Sequence, residues 1–403
     1  MTLMPVAEAL ARVLAYAEPL PPVRVPVLEA YGRVLTADVE ALRTQPPADV
    51  SAMDGYAVRA VDLHEMPARL KVVGEVAAGH PFAGAVGAGQ AARIFTGGLM
   101  PPGADTVVIQ ENTWSEEDAV VVEVSTGKGR HVRRKGLDFE RGAILLCRGR
   151  RLSSRDLALA AAMNHPTLSV HRRPKLAVLA TGDELVPPGF SPAPGEIVHS
   201  NGYATMALAS AEGCEVLDLG LVPDRLEATV AAVRQARSAA VDILVTSGGV
   251  SVGDYDLVRD ALTAEGFALS FWKVAIRPGR PMLYGHLEGM HVLGLPGNPV
   301  SSYVCAIVFL LPLIRRLLGR SDLSLALEPA LLGCDLPQND ERADYLRARL
   351  APDESGHFIA TPAPVQDSSM LAPLAEADCL LVREPHAPPA PNGSLCTIVR
   401  LPV

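Results

Sequence analysis

The sequence predicts a multidomain chain of α/β plus β class, on three observations. Residues 174–320 alternate apolar runs of strand length with amphipathic runs of helix length, the pattern of a parallel sheet with crossover helices. The stretches on either side, about 46–142 and 321–403, read instead as short β-rich pieces cut by glycine and proline. At 403 residues the chain has two to four domains' worth of length, taking roughly 100–200 residues per domain.

At the N-terminus Val6, Leu10, Val13, Leu14 and Ala17 recur at helical spacing and stop at Pro19, Pro21 and Pro22. A second polar and apolar stretch, 29–42, runs into Thr44-Gln45-Pro46-Pro47, a boundary because proline cannot continue a helix. Strand pieces follow at 70–73, 91–95, 106–109 and 119–124. Ser153 offers a helix cap for the alanine-rich run 157–163, so helix is expected to resume after a β insertion and pack on the N-terminal helices. The expected division is 1–45 with 143–172 as a discontinuous helical domain, 46–142 as a β-rich insertion, 173–320 as α/β and 321–403 as a C-terminal β domain, barrel-like in form.

Within the α/β part, strands are expected at 176–180, 216–219, 241–246, 269–274 and 292–293. Helices are expected near 203–211, 225–236, from Asp254, and at 300–318 with Gly319 just past the end. In the last part 345–350 alternates with period two, 353–356 turns, and 395–399 closes the chain.

Composition narrows function. Hydrophobic residues make 49%, charged 20% and aromatic only 4%, with 36 Lys plus Arg against 45 Asp plus Glu and a net charge of −9. That balance gives no general attraction to nucleic acid or an anionic membrane, so an anionic substrate needs a local cationic pocket. The six cysteines are dispersed and form no C-x-x-C pair, which argues against thiolate zinc or a disulfide framework. No signal-like or membrane-length run opens the sequence, and a reducing cytoplasm is the expected compartment.

In an open parallel sheet ligands bind beyond the carboxyl ends of the strands. Three loops of this sequence should open there: Thr181-Gly182-Asp183-Glu184, 246–254 with Ser247-Gly248-Gly249 and Ser251, and Pro296-Gly297-Asn298-Pro299 running to Ser301. Glycine lets backbone N–H groups approach an anion and hydroxyls add donors, so the set suits a phosphorylated ligand, although each loop alone is an ordinary tight turn. No G-x-G-x-x-G follows a strand and no P-loop is present. Asp183 and Glu184, with Asp254 and Asp256, put hard oxygen ligands on the same edge, as magnesium requires; a helix cap is the equal alternative for Asp256. Lys273, Arg277 and Arg280 place three cations in one loop-like stretch, either an anion clamp or a solvated basic edge. The histidines show no metal spacing, there is no serine nucleophile elbow, and Cys305 sits in an apolar run where packing is its expected role.

Taken together, Ser51 to Ala57 (SAMDGYA), Thr96-Gly97-Gly98, Arg133 to Asp138, Thr181 to Leu185 (TGDEL), Ser200-Asn201-Gly202, Thr246 to Asp256 (TSGGVSVGDYD), Arg277 to Pro281 and Gly294 to Ser302 (GLPGNPVSS) resemble the MoeA-type molybdopterin molybdenumtransferases, relatives of the gephyrin E domain. The resemblance implies an elongated homodimer whose α/β domain binds molybdopterin. It also implies insertion of molybdate into adenylylated molybdopterin, with release of AMP and with magnesium as metal. Carried over by motif, Thr181, Ser247, Gly248, Gly249, Ser251, Asp256, Pro296, Gly297, Asn298, Pro299 and Ser301 would line the substrate. Asp183, Glu184 and Asp254 would serve the metal, and Lys273, Arg277 and Arg280 the anion. Asp54, Thr96 and Asp138 would act from the partner subunit, with Ser368 near the substrate. A molybdopterin adenylyltransferase is the implied upstream partner. Two departures stand out: arginine at 277 and 280 where many relatives have lysine, and Asp367 where glycine is common. The same fold also suits adenylylation of molybdopterin or a scaffold with little turnover.

Overall fold

The computed structural model describes residues 3–248 and 257–402. The chain divides into two compact units, one of residues 24–31 and 37–169, the other of 1–23, 32–36 and 170–403.

The smaller unit is built on a six-stranded sheet in the order Thr106–Ile109, Gly55–Val58, Gln90–Ile94, Ala68–Val76, Ala119–Val122, Thr113–Glu116. All pairs are antiparallel except Ala68–Val76 with Gln90–Ile94. The glycine of SAMDGYA is explained here: a Cβ on Gly55 would lie 1.9 Å from the Val108 carbonyl oxygen, so only hydrogen fits between these strands. Ser153 caps the helix Ser154–Ala162 in a reciprocal box with Asp156, as its sequence suggests. That helix packs on the short 3-10 turn Val27–Ala30. The expected partner, the N-terminal helix Val6–Ala15, belongs to the other unit, and 29–42 is mostly turn and short bridge, so helix is scarcer here than its apolar spacing suggested.

In the larger unit a six-stranded sheet runs Glu215–Val222, Lys175–Thr181, Ile243–Ser247, Met290–Leu295, Leu283–Leu287, Ala268–Trp272. The first four strands form the expected parallel sheet, and Leu283–Leu287 and Ala268–Trp272 extend it through antiparallel pairings. The reversal is local. Glu288 and Gly289, at φ 48° and 86°, form a two-residue turn with both central residues left-handed, which joins Leu283–Leu287 to Met290–Leu295 as a hairpin. Leu283–Leu287 was not legible beforehand because Gly279, Pro281 and Gly285 break its apolar run.

The apolar run 299–317 is one helical stretch interrupted by a π-turn at Ala306–Leu310. It is long and apolar enough to cross a membrane, but most of it is buried in the core with Val6–Ala15 and Asn201–Glu212 against it. Gly319 follows at φ 73°, the left-handed residue expected after the helix. The last strands, Leu327–Leu332, Ala343–Pro352, Phe358–Pro362, Cys379–Arg383 and Leu395–Arg400, close into a five-stranded barrel because Ala343–Pro352 pairs with both Phe358–Pro362 and Cys379–Arg383.

Candidate active site

Strand register decides what shares the upper edge of the α/β sheet. Ala180 lies opposite Ser247, Ser247 opposite Leu295, and Thr181 opposite Val222, so four strands end in one row. The loops after them begin Gly182-Asp183-Glu184, Gly248, Pro296-Gly297-Asn298, and Pro223-Asp224. The last was not singled out from sequence. Asp224 follows the strand end at Val222, which the fold sets opposite Thr181 and so at the same sheet edge as TGDEL.

The glycines here are shaped by close approach. Gly248 sits at φ 93°, and a Cβ would stand 2.4 Å from the Thr181 carbonyl oxygen, so the two loops touch through backbone. At Gly182 a Cβ would meet both Glu184 carboxylate oxygens at 2.7–2.8 Å. Asn201 ties the wall together, its Nδ2 donating to Ser247 Oγ at 3.0 Å and to the Gly297 carbonyl at 2.7 Å. His199 Nε2 accepts the Gly202 N–H at 3.1 Å, and its ring fills the space a Cβ on Gly202 would need. The Ser200-Asn201-Gly202 motif therefore fixes a helix start beneath the site. Thr181 Oγ1, Thr246 Oγ1 and Ser302 Oγ are buried with no hydrogen-bond partner among the described residues. Orphaned hydroxyls of this kind need an explanation, and a polar ligand or ordered water at this edge supplies one.

Asp183 and Glu184 are exposed, and Asp183 Oδ1 accepts the Asp224 N–H at 3.0 Å. Desolvation raises the Asp224 carboxyl above its ordinary value; a hydrogen bond involving Asp183 opposes this, and the charges of Asp183 and Glu184 add to it. Three carboxylates sharing one edge form an all-oxygen donor set that suits a hard divalent cation. Among the described residues no three such groups are close enough to hold a metal ion by themselves. Gly249, Ser251, Asp254 and Asp256 lie outside the described residues.

In the smaller unit Asp54 Oδ1 accepts from the Thr96 N–H at 2.7 Å and from the Thr96 hydroxyl at 2.8 Å. These two bonds, backbone first, hold the Asp54 carboxyl below its usual range, so it is charged at neutral pH. Asp138 is exposed, on a loop stapled by its own N–H to the Gln45 carbonyl.

Three family descriptions match the chain in order: MoeA N-terminal region (domain I and II) over residues 4–164, probable molybdopterin binding domain over 177–316, and MoeA C-terminal region (domain IV) over 329–401. The chain belongs to the MoeA family. It is 36% identical to a molybdopterin molybdenumtransferase of Nostoc sp. across 93% of this chain and 87% of that one. A protein of the same description from Haemophilus influenzae is 34% identical, across 92% and 91%. A solved molybdopterin biosynthesis MoeA protein from Pyrococcus horikoshii superposes with a TM-score of 0.85 at 30% identity, covering 99% of each chain.

Against this MoeA background the cations divide. Arg277 donates to Asp340 Oδ2 and Asn339 Oδ1, each at 3.0 Å, and to the buried Asp344, so its charge is already matched by carboxylates. Burial raises Asp344 above the ordinary carboxylate value in spite of this partner. Lys273, at φ 75°, lays its ammonium 4.0 Å from the Trp272 ring centroid, and Arg280 is exposed with no ion pair among the described residues. Gly279 leaves room for the Cys305 thiol, which burial pushes up and which is a packing group as expected.

Pro299 opens its helix and Ser301 is buried behind it. Asn298 Nδ2 donates to Ser368 Oγ at 2.8 Å, tying the Pro296-Gly297-Asn298 loop to the segment before Leu371–Ala375. Asp367 is compatible with that geometry because its carboxylate caps Ser369, accepting from N–H and hydroxyl at 2.8 and 2.7 Å. Arg347, also not singled out from sequence, is 1% exposed, and among the described residues its guanidinium donates to Gln366 Oε1 and the carbonyls of Val365 and Met370. Its signal was a charge within the period-two strand 345–350.

Proposed function

We propose that this chain inserts molybdate into adenylylated molybdopterin, releasing AMP and molybdenum cofactor. The observation that carries the reading is the common edge on which backbone amides, orphaned hydroxyls and three carboxylates meet, in a chain whose relatives are described as molybdopterin molybdenumtransferases. Gly248 and Ser247 bind the phosphate through N–H and O–H, with Asn201 leaving the Ser247 proton free to donate because the serine oxygen accepts from the amide. Thr181, Pro296, Gly297, Asn298 and Ser301 complete the wall. Asp254, with carboxylate oxygens contributed from Asp183, Glu184 and Asp224, would hold magnesium, which when bound would supply Lewis-acid neutralisation of phosphate charge. The carboxylates also accept hydrogen bonds from an attacking oxygen and orient it. Arg280 and Lys273 attract the oxyanion, while Arg277 holds their loop to the barrel.

The working form in this reading is a homodimer in the cytoplasm, with Asp54, Thr96 and Asp138 supplied by the partner and substrate received from a molybdopterin adenylyltransferase. Each chain is then read in four parts: 1–45 with 143–172, 46–142, 173–320 and 321–403. The test measures AMP release from adenylylated molybdopterin with magnesium, with and without molybdate, while product reactivates a cofactor-free molybdoenzyme. AMP release coupled to molybdate-dependent reactivation is expected; reactivation that does not require the protein, with competent substrate and a working control enzyme, sinks the reading.

A further inference from the structure

The inward row of the C-terminal barrel ends in two opposite charges that do not meet. Ala348 lies opposite Cys379 and Leu346 opposite Leu381, and these side chains pack in the barrel core. Alternate residues of a strand share a face, so the next inward pair along the same two strands is Asp344 opposite Arg383. Cβ atoms of such a pair stand about 4.5–5.5 Å apart, within easy reach of an ion pair. None forms between them.

Each charge turns elsewhere. Asp344 Oδ2 accepts from Arg277, while Oδ1 is buried without a hydrogen-bond partner among the described residues, in a side chain 5% exposed. Burial raises this carboxyl in spite of Arg277, as befits a carboxylate short of donors. Arg383 makes no ion pair among the described residues, and its Nη2 donates to the carbonyls of Pro337, Ala387 and Pro388 at 3.0, 3.4 and 2.6 Å. Asp344 and Arg383 both line a cleft of about 540 Å³ whose apolar wall includes Leu336, Leu346, Pro337 and Pro362. The other charges on its walls are matched: Arg277 on Asp340 and Asp344, and Asp335 on the Asn392 N–H at 2.7 Å. A barrel mouth of this size is a usual place for a small ligand, and a buried acceptor left orphaned calls for a donor.

We propose that the barrel mouth binds a zwitterionic α-amino acid with an aliphatic side chain. Its ammonium donates to Asp344 Oδ1, its carboxylate accepts from Arg383, and its side chain lies on Leu336 and Leu346. A plain cation leaves the guanidinium unmatched and a plain anion leaves the carboxylate oxygen orphaned, so one molecule carrying both charges a few bonds apart satisfies what neither can. Neither Asp344 nor Arg383 is assigned a part in molybdate insertion, so the site stands or falls apart from that function.

The full-length protein is photolabelled with photo-leucine, a diazirine analogue of leucine, and the attachment sites are mapped by mass spectrometry. Saturable label is expected on peptides covering residues 334–346 and 362–366, about ten-fold weaker in D344N and in R383Q and largely restored in R383K. Leucine should displace it, whereas isoamylamine, which lacks the carboxylate, and isocaproate, which lacks the ammonium, should not at the same concentration. R383Q leaves Asp344 and Arg277 untouched and decides the matter should D344N not fold. Label that does not saturate, that falls outside these peptides, that survives R383Q, or that either single-charge competitor displaces as well as leucine does overturns the proposal.

Discussion

Asp224 pairs its backbone with Asp183 and feels the charges of Asp183 and Glu184, and its raised carboxyl carries a signed consequence. Because the folded state holds this acid above its unfolded value, its stabilising contribution is complete below the unfolded carboxylate range and is lost as pH rises through the folded value. Asp224→Asn should therefore raise the melting temperature at pH 7, with the gain vanishing in acid, while weakening magnesium activation by about 10–100-fold; a variant neither more stable nor less responsive to magnesium contradicts the role given to it. His291 runs the other way. Burial, with His286 beside it, lowers its ring to about 4, and Tyr284 Oη bonds its Nδ1 at 2.9 Å. A base with a depressed folded value gives stability that is present above about 6.5 and lost as pH falls toward 4, up to about 3 kcal/mol for this shift. Urea midpoints should fall between pH 7 and pH 4.5, and His291→Gln should flatten that fall. Residue identity was readable in sequence for TGDEL and SAMDGYA, where several unusual residues stand together. Asp224 and Arg347 were not, because each is one charge in an ordinary run and gains meaning only from what the fold sets beside it.

At the level of elements, the loop Arg277 to Pro281 shows how pairing redirects a side chain. In sequence it is one of three cations. In the fold the strand pair Ile276–Arg277 joins Ala343 and Asp344 in parallel register, which brings Arg277 onto two acids of the barrel. Arg277→Ala strands Asp344, 5% exposed at its side chain, and should cost about 1–3 kcal/mol. Adding Asp344→Asn should recover part of that loss, and the double-mutant cycle by urea unfolding measures the coupling. Additive costs would mean the pair is not coupled. Strand existence was largely legible from period and glycine punctuation. Strand direction was not, since the hairpin Leu283–Leu287 with Met290–Leu295 depends on two left-handed residues, one of them Glu288, a type that does not announce such a turn.

For the whole molecule, a proposed composite site makes a prediction that no single-site change can. Asp54→Ala and Asp224→Asn protomers, each nearly inactive alone at limiting magnesium, should recover roughly a quarter of wild-type activity there when co-expressed, because half the random dimers are mixed and one of their two sites is intact. No recovery despite mixed dimers, seen by tagged pull-down, would place both residues in a site built from one chain. Local pattern specified the class of the chain, the order of its β, α/β and β parts, and the motif loops expected at the carboxyl edge, because alternation, glycine spacing and charge are local properties of a chain. Long-range pairing instead set Val222 in the same row as Thr181, matched Arg277 to carboxylates, and gave the Asp54 carboxylate its Thr96 donors. Each of those facts joins residues between 41 and 67 positions apart through strand register or hydrogen bonds, which local pattern does not encode.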